Sequence, residues 1–295
     1  MSWWIFFALI AMLANAGKVF VVNRLCQGIS SRLLVLVSRI ISAAFLLPIL
    51  ISLGNWPSDW GFWVVVIVTS VLTAAASILF TKAVKDGRLS VIMPMQTAVP
   101  VFAFLTLVIL YRELPNTSSI VFMFLSMAAL GYTLHECYLS KDNGDGKFYL
   151  VLYSLAAAVI FGVCTILDRI AVSRADSGAL AYSACWNMVS VAVVSLECLR
   201  AGNLKISAIS GGKWAGILIF AMLNLVAFYF QQLGIEKSLG IRGAVVNVKA
   251  IIMLYLTIVI IAEHFTFKKA TNIRVLIGGL VAIISGVGLL LSAAR

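Results

Sequence analysis

Apolar residues run along this chain in long unbroken blocks, separated by short polar stretches. Neither the alternation of a half-buried strand nor the narrow stripe of a soluble helix is present. A bilayer core of about 30 Å needs about 20 helical residues. On that rule the blocks predict ten spans, near residues 3–22, 33–52, 61–80, 90–111, 118–139, 148–168, 179–199, 214–234, 243–262 and 273–293. Barrel strands would show about ten residues of alternation. These runs are twice that length, so they predict helices, whose backbone groups satisfy one another in lipid.

The longest polar stretch, KDNGDGK from Lys141 to Lys147, falls at the midpoint with five spans on each side. It lacks the spacing and closing Glu of a calcium loop and reads as a solvated turn. The organisation expected is a first five-helix unit over 1–140, the connecting loop 141–147, and a second unit over 148–295. Internal similarity supports a duplication. NAGKVFVVNR (Asn15 to Arg24) aligns with IFGVCTILDR (Ile160 to Arg169), pairing Gly17 with Gly162, Asn23 with Asp168 and Arg24 with Arg169. The stretch from Ala83 to Glu113 similarly aligns with that from Gly234 to Glu263, pairing Thr97 with Asn247. An odd number of spans per unit makes the repeats inverted. That is a common transporter design, with the substrate near the midplane between halves.

Composition agrees. The chain is 62% hydrophobic and 11% charged over 295 residues, with mean hydropathy +1.08. Soluble domains are about 25% charged. The fold class expected is an all-α integral membrane protein of ten transmembrane helices in two inverted five-helix repeats. The net charge of +11 is loop charge of the kind that stays cytoplasmic; no basic run interleaved with aromatics points to nucleic acid. With the termini outside, thirteen loop cations lie on the cytoplasmic side and six on the other. The N-terminal run lacks a basic leader and a clear cleavage site, so it reads as a retained span. None of the five cysteines forms a C-x-x-C pair, and His135 and His264 have no ligand partners nearby. No disulfide framework, metal or cofactor is therefore expected.

The segment KAVKDGRLSVIMPMQTAVPVFAFLTLVILYREL (Lys82 to Leu114), its partner from Gly234 to Phe265, and the glycine-rich IGGLVAIISGVGLLL (Ile277 to Leu291) resemble the drug/metabolite transporter superfamily, specifically EamA-type carriers. The resemblance covers nearly the whole chain. It implies an alternating-access carrier for small metabolites, with a central cavity lined mainly by spans 1, 3, 4, 6, 8 and 9. It also implies cytoplasmic termini, against the loop count.

Candidate chemistry centres on charges inside spans. Lys249 interrupts AVVNVKAIIMLYL (Ala244 to Leu256). A cation at the bilayer centre costs about 2.5–3.5 kcal/mol on insertion scales. Arg242 and Glu263 share its face but lie at the span ends; Glu263 is about 21 Å away along the axis. Lys249 therefore faces either a carboxylate on another helix, the interface by snorkelling, or an anionic substrate. Lys18 ends a face of small and polar residues (Trp4, Ala8, Ala11, Asn15) in span 1 and either snorkels or faces a cavity. Arg39 reads as snorkelling or paired. Asp168 beside Arg169, and Glu113 beside Arg112, read as local or interfacial pairs. Glu197 shares a stripe with Ser183, Asn187 and Ser190. No deep carboxylate stands out, so a uniporter or exchanger fits as well as proton coupling. Further substrate-binding candidates are Gln96, Thr97, Thr165, Tyr229, Asn247 and Trp186. Pro94 and Pro100 should kink span 4. Gly278, Ala282 and Gly286 form a small-residue ridge suited to helix packing or a homodimer through the last span.

The function expected is secondary transport of a small anionic or zwitterionic metabolite, of amino acid or organophosphate type, in a bacterial cytoplasmic membrane. The alternatives are a cationic or aromatic solute, such as a quaternary ammonium or aromatic amino acid held by Trp186 and Tyr229, and a lipid-linked flippase subunit. The motifs of metalloprotease or serine-hydrolase enzymes are missing, and the partners expected are the substrate and the lipid bilayer.

Overall fold

The computed structural model describes residues 3–87, 89–112, 148–200, 202, 211–241 and 244–256, with isolated helical positions within 121–135 and 258–288. The described residues form α1 (Trp3–Leu25), α2 (Ser31–Ser52), α3 (Trp60–Asp86), the short α4 (Leu89–Ile92), a 3₁₀ turn (Met93–Thr97), α5 (Ala98–Tyr111), α6 (Phe148–Ser173), α7 (Gly178–Arg200), α8 (Gly211–Lys237) and α9 (Ala244–Met253). Seven described helical segments are long and apolar enough to cross a membrane. Most of expected spans 5 and 10, the 141–147 loop, and the ridge of Gly278, Ala282 and Gly286 lie outside the described residues, as do Arg242, Glu113, Glu263 and His264.

The burial pattern is that of a membrane protein. Trp60, Ile109 and Trp3 are 75%, 74% and 70% exposed, whereas Arg39 and Asp168 are each 4% exposed. A chain in water would reverse that order. A lipid-facing surface with charges turned inward is the multi-pass membrane solution.

Several helices exceed the expected spans. α3 and α8 have 27 residues each, about 40 Å at 1.5 Å per residue. Their apolar cores continue into ends such as TKAVKD and GIEK, whose charges do not stop the helix. The Asp59 carboxylate caps α3 by accepting from Gly61 N at 3.0 Å. That orphan donor would otherwise be unpaired.

Span 4 is broken as its prolines predict. Pro94 opens the 3₁₀ turn, and Pro100 lies in the first turn of α5, where a missing N–H is tolerated. Ser154 of α6 stitches the break: its hydroxyl donates to Ile92 O at 3.0 Å. Gln96 Nε2 in turn donates to Ser154 O and Oγ at 2.8 and 2.9 Å. Span 9 was expected to run unbroken; instead α9 is interrupted after Met253 by a turn at Leu254, whose N is bonded to Ile251 O at 3.0 Å, before helix resumes at Tyr255.

Helices pack mainly across the midpoint of the chain: α1 on α8, α3 on α6, α2 on α7, α5 on α6 and α1 on α9. Gly162 permits the α5–α6 approach. A Cβ there would lie 2.6 Å from Phe102 Cβ and 2.7 Å from Val99 O.

Candidate functional site

The polar faces of these helices converge on an internal cavity of about 120 Å³. α1 contributes Asn15 and Lys18, α2 Arg39, α3 Thr73 and Ser77, and the 3₁₀ turn Gln96. From the other half come Asp168 of α6, Trp186 of α7, Asn224, Phe228 and Gln231 of α8, and Lys249 of α9. Each sits within a predominantly apolar helix, so its polar group has only other helices to turn to.

Lys249 is 7% exposed, and its Nζ donates to Gln231 Oε1 at 2.8 Å. Lys18 Nζ donates to Asn224 Oδ1 at 3.3 Å. Asn224 and Gln231 are seven residues apart on α8, so they lie on one face about 10 Å apart. α8 thus offers one amide oxygen to a lysine from α1 and another to a lysine from α9. Of the two expectations for Arg39, snorkelling or pairing, the structure excludes snorkelling. Arg39 Nη2 donates to Ser77 Oγ at 3.1 Å, and its guanidinium lies 4.1 Å from the Trp186 ring. Phe228 stacks on Trp186 at 4.1 Å and 17°. Two groups at that height cannot share one face of the indole, so both faces are taken.

The charges of Arg39 and Lys249 both act on Lys18. Among the described residues the ion pairs are Lys85–Asp86, Arg174–Asp59 and Lys237–Glu236, none in the cavity. Its three cations are held by neutral groups. Three buried polar atoms of lining residues have no partner among the described residues: Arg39 Nε, Trp186 Nε1 and Asn224 Nδ2. All three are N–H donors. The hydrogen bond from Lys18 to Asn224 Oδ1 fixes which end of that amide is the free donor.

Asp168 corrects the expectation of a local pair with Arg169. The Arg169 guanidinium sits 4.7 Å from the Tyr111 ring of α5, whereas Asp168 turns inward. Its Oδ1 accepts from the Tyr182 hydroxyl of α7, and its Oδ2 accepts from Gln232 Nε2 of α8 at 3.1 Å. A deep carboxylate is therefore present. Sequence reasoning placed Asp168 at a helix end because the apolar block stops there, but α6 continues to Ser173.

Of the nine substrate-binding candidates, Lys249, Lys18, Asn15, Gln96 and Trp186 line the cavity; Thr97, Thr165, Tyr229 and Asn247 are not among its lining residues. The Thr97 and Thr165 hydroxyls donate back to Pro94 O and Phe161 O at 2.7 Å each. Phe228 rather than Tyr229 faces inward, since consecutive helical residues diverge by about 100°. Arg39, Asp168, Asn224 and Gln231 were not singled out as binding candidates. The i, i+7 spacing of Asn224 and Gln231 in an apolar span was the available signal for that pair. Ser183, Asn187 and Ser190 are buried but absent from the cavity lining, and Glu197 is exposed. Cys26, Cys164, Cys185 and Cys198 are buried free thiols; Cys137 lies outside the described residues.

A bundle of apolar helices around a buried, charged cavity is an arrangement that membrane transporters share. Over residues 2–134 the chain is EamA-like: that segment matches the model of the EamA-like transporter family, as the sequence resemblance led us to expect. One solved structure, described only as a crystal structure of a protein, shares the fold with a TM-score of 0.70 over 100% of this chain and 99% of its own, at 13% identity. No curated protein matches the chain.

Proposed function

We propose that the protein is a secondary transporter of a small anionic or zwitterionic metabolite, working by alternating access through this cavity. One observation carries the substrate class. Lys18, Arg39 and Lys249 line the cavity without a described carboxylate in contact, and the unpartnered polar atoms of its lining are all donors. Such a site offers charge-assisted hydrogen bonds to carboxylate or phosphate oxygens. A cationic solute would meet like charges at low dielectric. An aromatic cage for a quaternary ammonium would need a free indole face, and Trp186 has none.

The packing pattern supports the inverted repeat as the moving framework. Exchanging each span with its counterpart five later turns the α1–α8 contact into α6–α3, leaves α2–α7 unchanged, and turns α5–α6 into α9–α1; all these contacts occur. Units with such exchangeable interfaces suit the rocking of one repeat against the other around a fixed site. We place the protein in a bacterial cytoplasmic membrane, with a homodimer through the last span.

A thermal-unfolding screen of the purified protein tests the substrate class, because a ligand that binds only the folded state raises the melting temperature. Organic anions, amino acids and organophosphates should include stabilisers, and quaternary ammonium compounds should not. Stabilisation by cations alone would overturn the reading.

A further inference from the structure

Gln231 and Gln232 are neighbours on α8, yet they serve opposite charges. Gln231 takes the Lys249 ammonium from α9 through its oxygen; Gln232 gives its amide N–H to Asp168 of α6. The glutamine pair therefore holds a cation and an anion near enough for each charge to act on the other, but out of contact. Asp168 lines the cavity, and its two hydrogen-bond donors, Tyr182 and Gln232, are both neutral.

Gln232 suits either protonation state of that carboxyl. It is fully buried, its Nε2 serves the carboxylate, and its Oε1 has no partner among the described residues. Rotating the amide by half a turn would present Oε1 to a protonated Oδ2. An amide that can donate to one form and accept from the other stabilises both. A buried acid with a contact cation would instead be locked in its charged form.

We propose that Asp168 is a proton-binding site of this transporter, and that its occupancy is linked to an anion bound beside Lys249, so that anion and proton load together. The proposal rests on the reading of the cavity as an anion site. Among the described residues the charged and titratable neighbours of Asp168 are few: Lys249 from α9, Tyr182 from α7 (itself bonded to Thr69 of α3 at 3.1 Å), Cys164 one turn earlier on α6, and Arg169, turned to Tyr111 of α5. Lys249 is the cation among them that acts on the carboxylate. An arriving anion neutralises that support, and a proton from the aqueous phase then joins a carboxylate oxygen of Asp168 to give the neutral acid. Tyr182 keeps its own proton. By linkage, protonation of Asp168 must strengthen anion binding by the same factor.

Two measurements on the detergent-solubilised protein test this. Infrared difference spectra between alkaline and acidic pH should show a carboxylic C=O band that Asp168→Asn lacks. If that variant does not fold, Asp168→Glu with ¹³C-labelled aspartate serves instead: the band should lose the isotope shift it shows in the labelled wild type. A band that is absent, or that survives in Asp168→Asn, overturns the proposal. In weakly buffered solution with a pH dye, potassium succinate or L-glutamate should draw up to one proton per protein into the wild type and none into Asp168→Asn. An anion that raises the melting temperature without proton uptake overturns the linkage. If neither anion stabilises the protein or draws in a proton, the anion site fails and the linkage with it; the infrared band then decides separately whether Asp168 binds a proton.

Discussion

Lys249 Nζ lies 2.8 Å from Gln231 Oε1, so the cation at the centre of α9 is held by a neutral amide. A carboxylate in that place would have marked a structural strut. The amide solvates the ammonium and leaves its charge available to the cavity. Removing Gln231 should therefore harm folding before it harms anion preference. Gln231→Ala leaves a buried ammonium short of an acceptor, which costs about 1–3 kcal/mol. The melting temperature of the purified variant should fall, and Gln231→Glu should regain much of the loss by pairing directly with Lys249. The same Gln231→Glu should weaken stabilisation by anions at least tenfold, because an internal carboxylate then occupies the cation.

Arg39 and Phe228 sandwich Trp186, which fixes the guanidinium at the cavity wall. Trp186→Ala removes a large buried ring and should destabilise the protein by about 3–5 kcal/mol, read as a lower melting temperature. Trp186→Phe retains a stacking surface and should lose less than half of that.

The α5–α6 contact depends on the missing side chain at Gly162. Gly162→Ala places a methyl against Val99 O and Phe102 Cβ, at 2.7 and 2.6 Å. Backbone on one side leaves little room to yield, so overpacking should cost about 1–3 kcal/mol. A melting temperature unchanged by Gly162→Ala would mean that the two helices do not approach this closely.

Ser154→Ala removes the hydroxyl that satisfies Ile92 O and shares the Gln96 amide. It should destabilise by about 1 kcal/mol. It should also loosen the span 4 break, which hydrogen–deuterium exchange across residues 89–100 would report as faster exchange.

The membrane-spanning character of the chain was legible because hydropathy acts over 20-residue blocks. Lys249 and Lys18 were legible for the same reason: a charge inside such a block is expensive and needs a purpose. Asp168 and Arg39 were misjudged because each lies near the edge of its block. Hydropathy falls where charges begin, whereas α6 continues five residues beyond its expected end and α2 starts two residues before its expected beginning. Thr97 and Thr165 were overvalued because a threonine in a helix can satisfy its hydroxyl on its own backbone. The partners Asn224, Gln231 and Gln232 were legible only as polar residues in an apolar span. Which lysine or acid each would meet depends on contacts between helices distant in sequence, which no periodicity encodes.

Transport by Lys249→Ala in proteoliposomes tests the central claim most directly. The wild type should take up at least one labelled compound from a panel of dicarboxylates, amino acids and organophosphates. Lys249→Ala should melt cooperatively, since it removes a buried charge and leaves an amide that can find water in the cavity, and should transport below about a tenth of the wild-type rate. Wild-type uptake by a folded Lys249→Ala, or a wild type that carries only cations, would contradict the account.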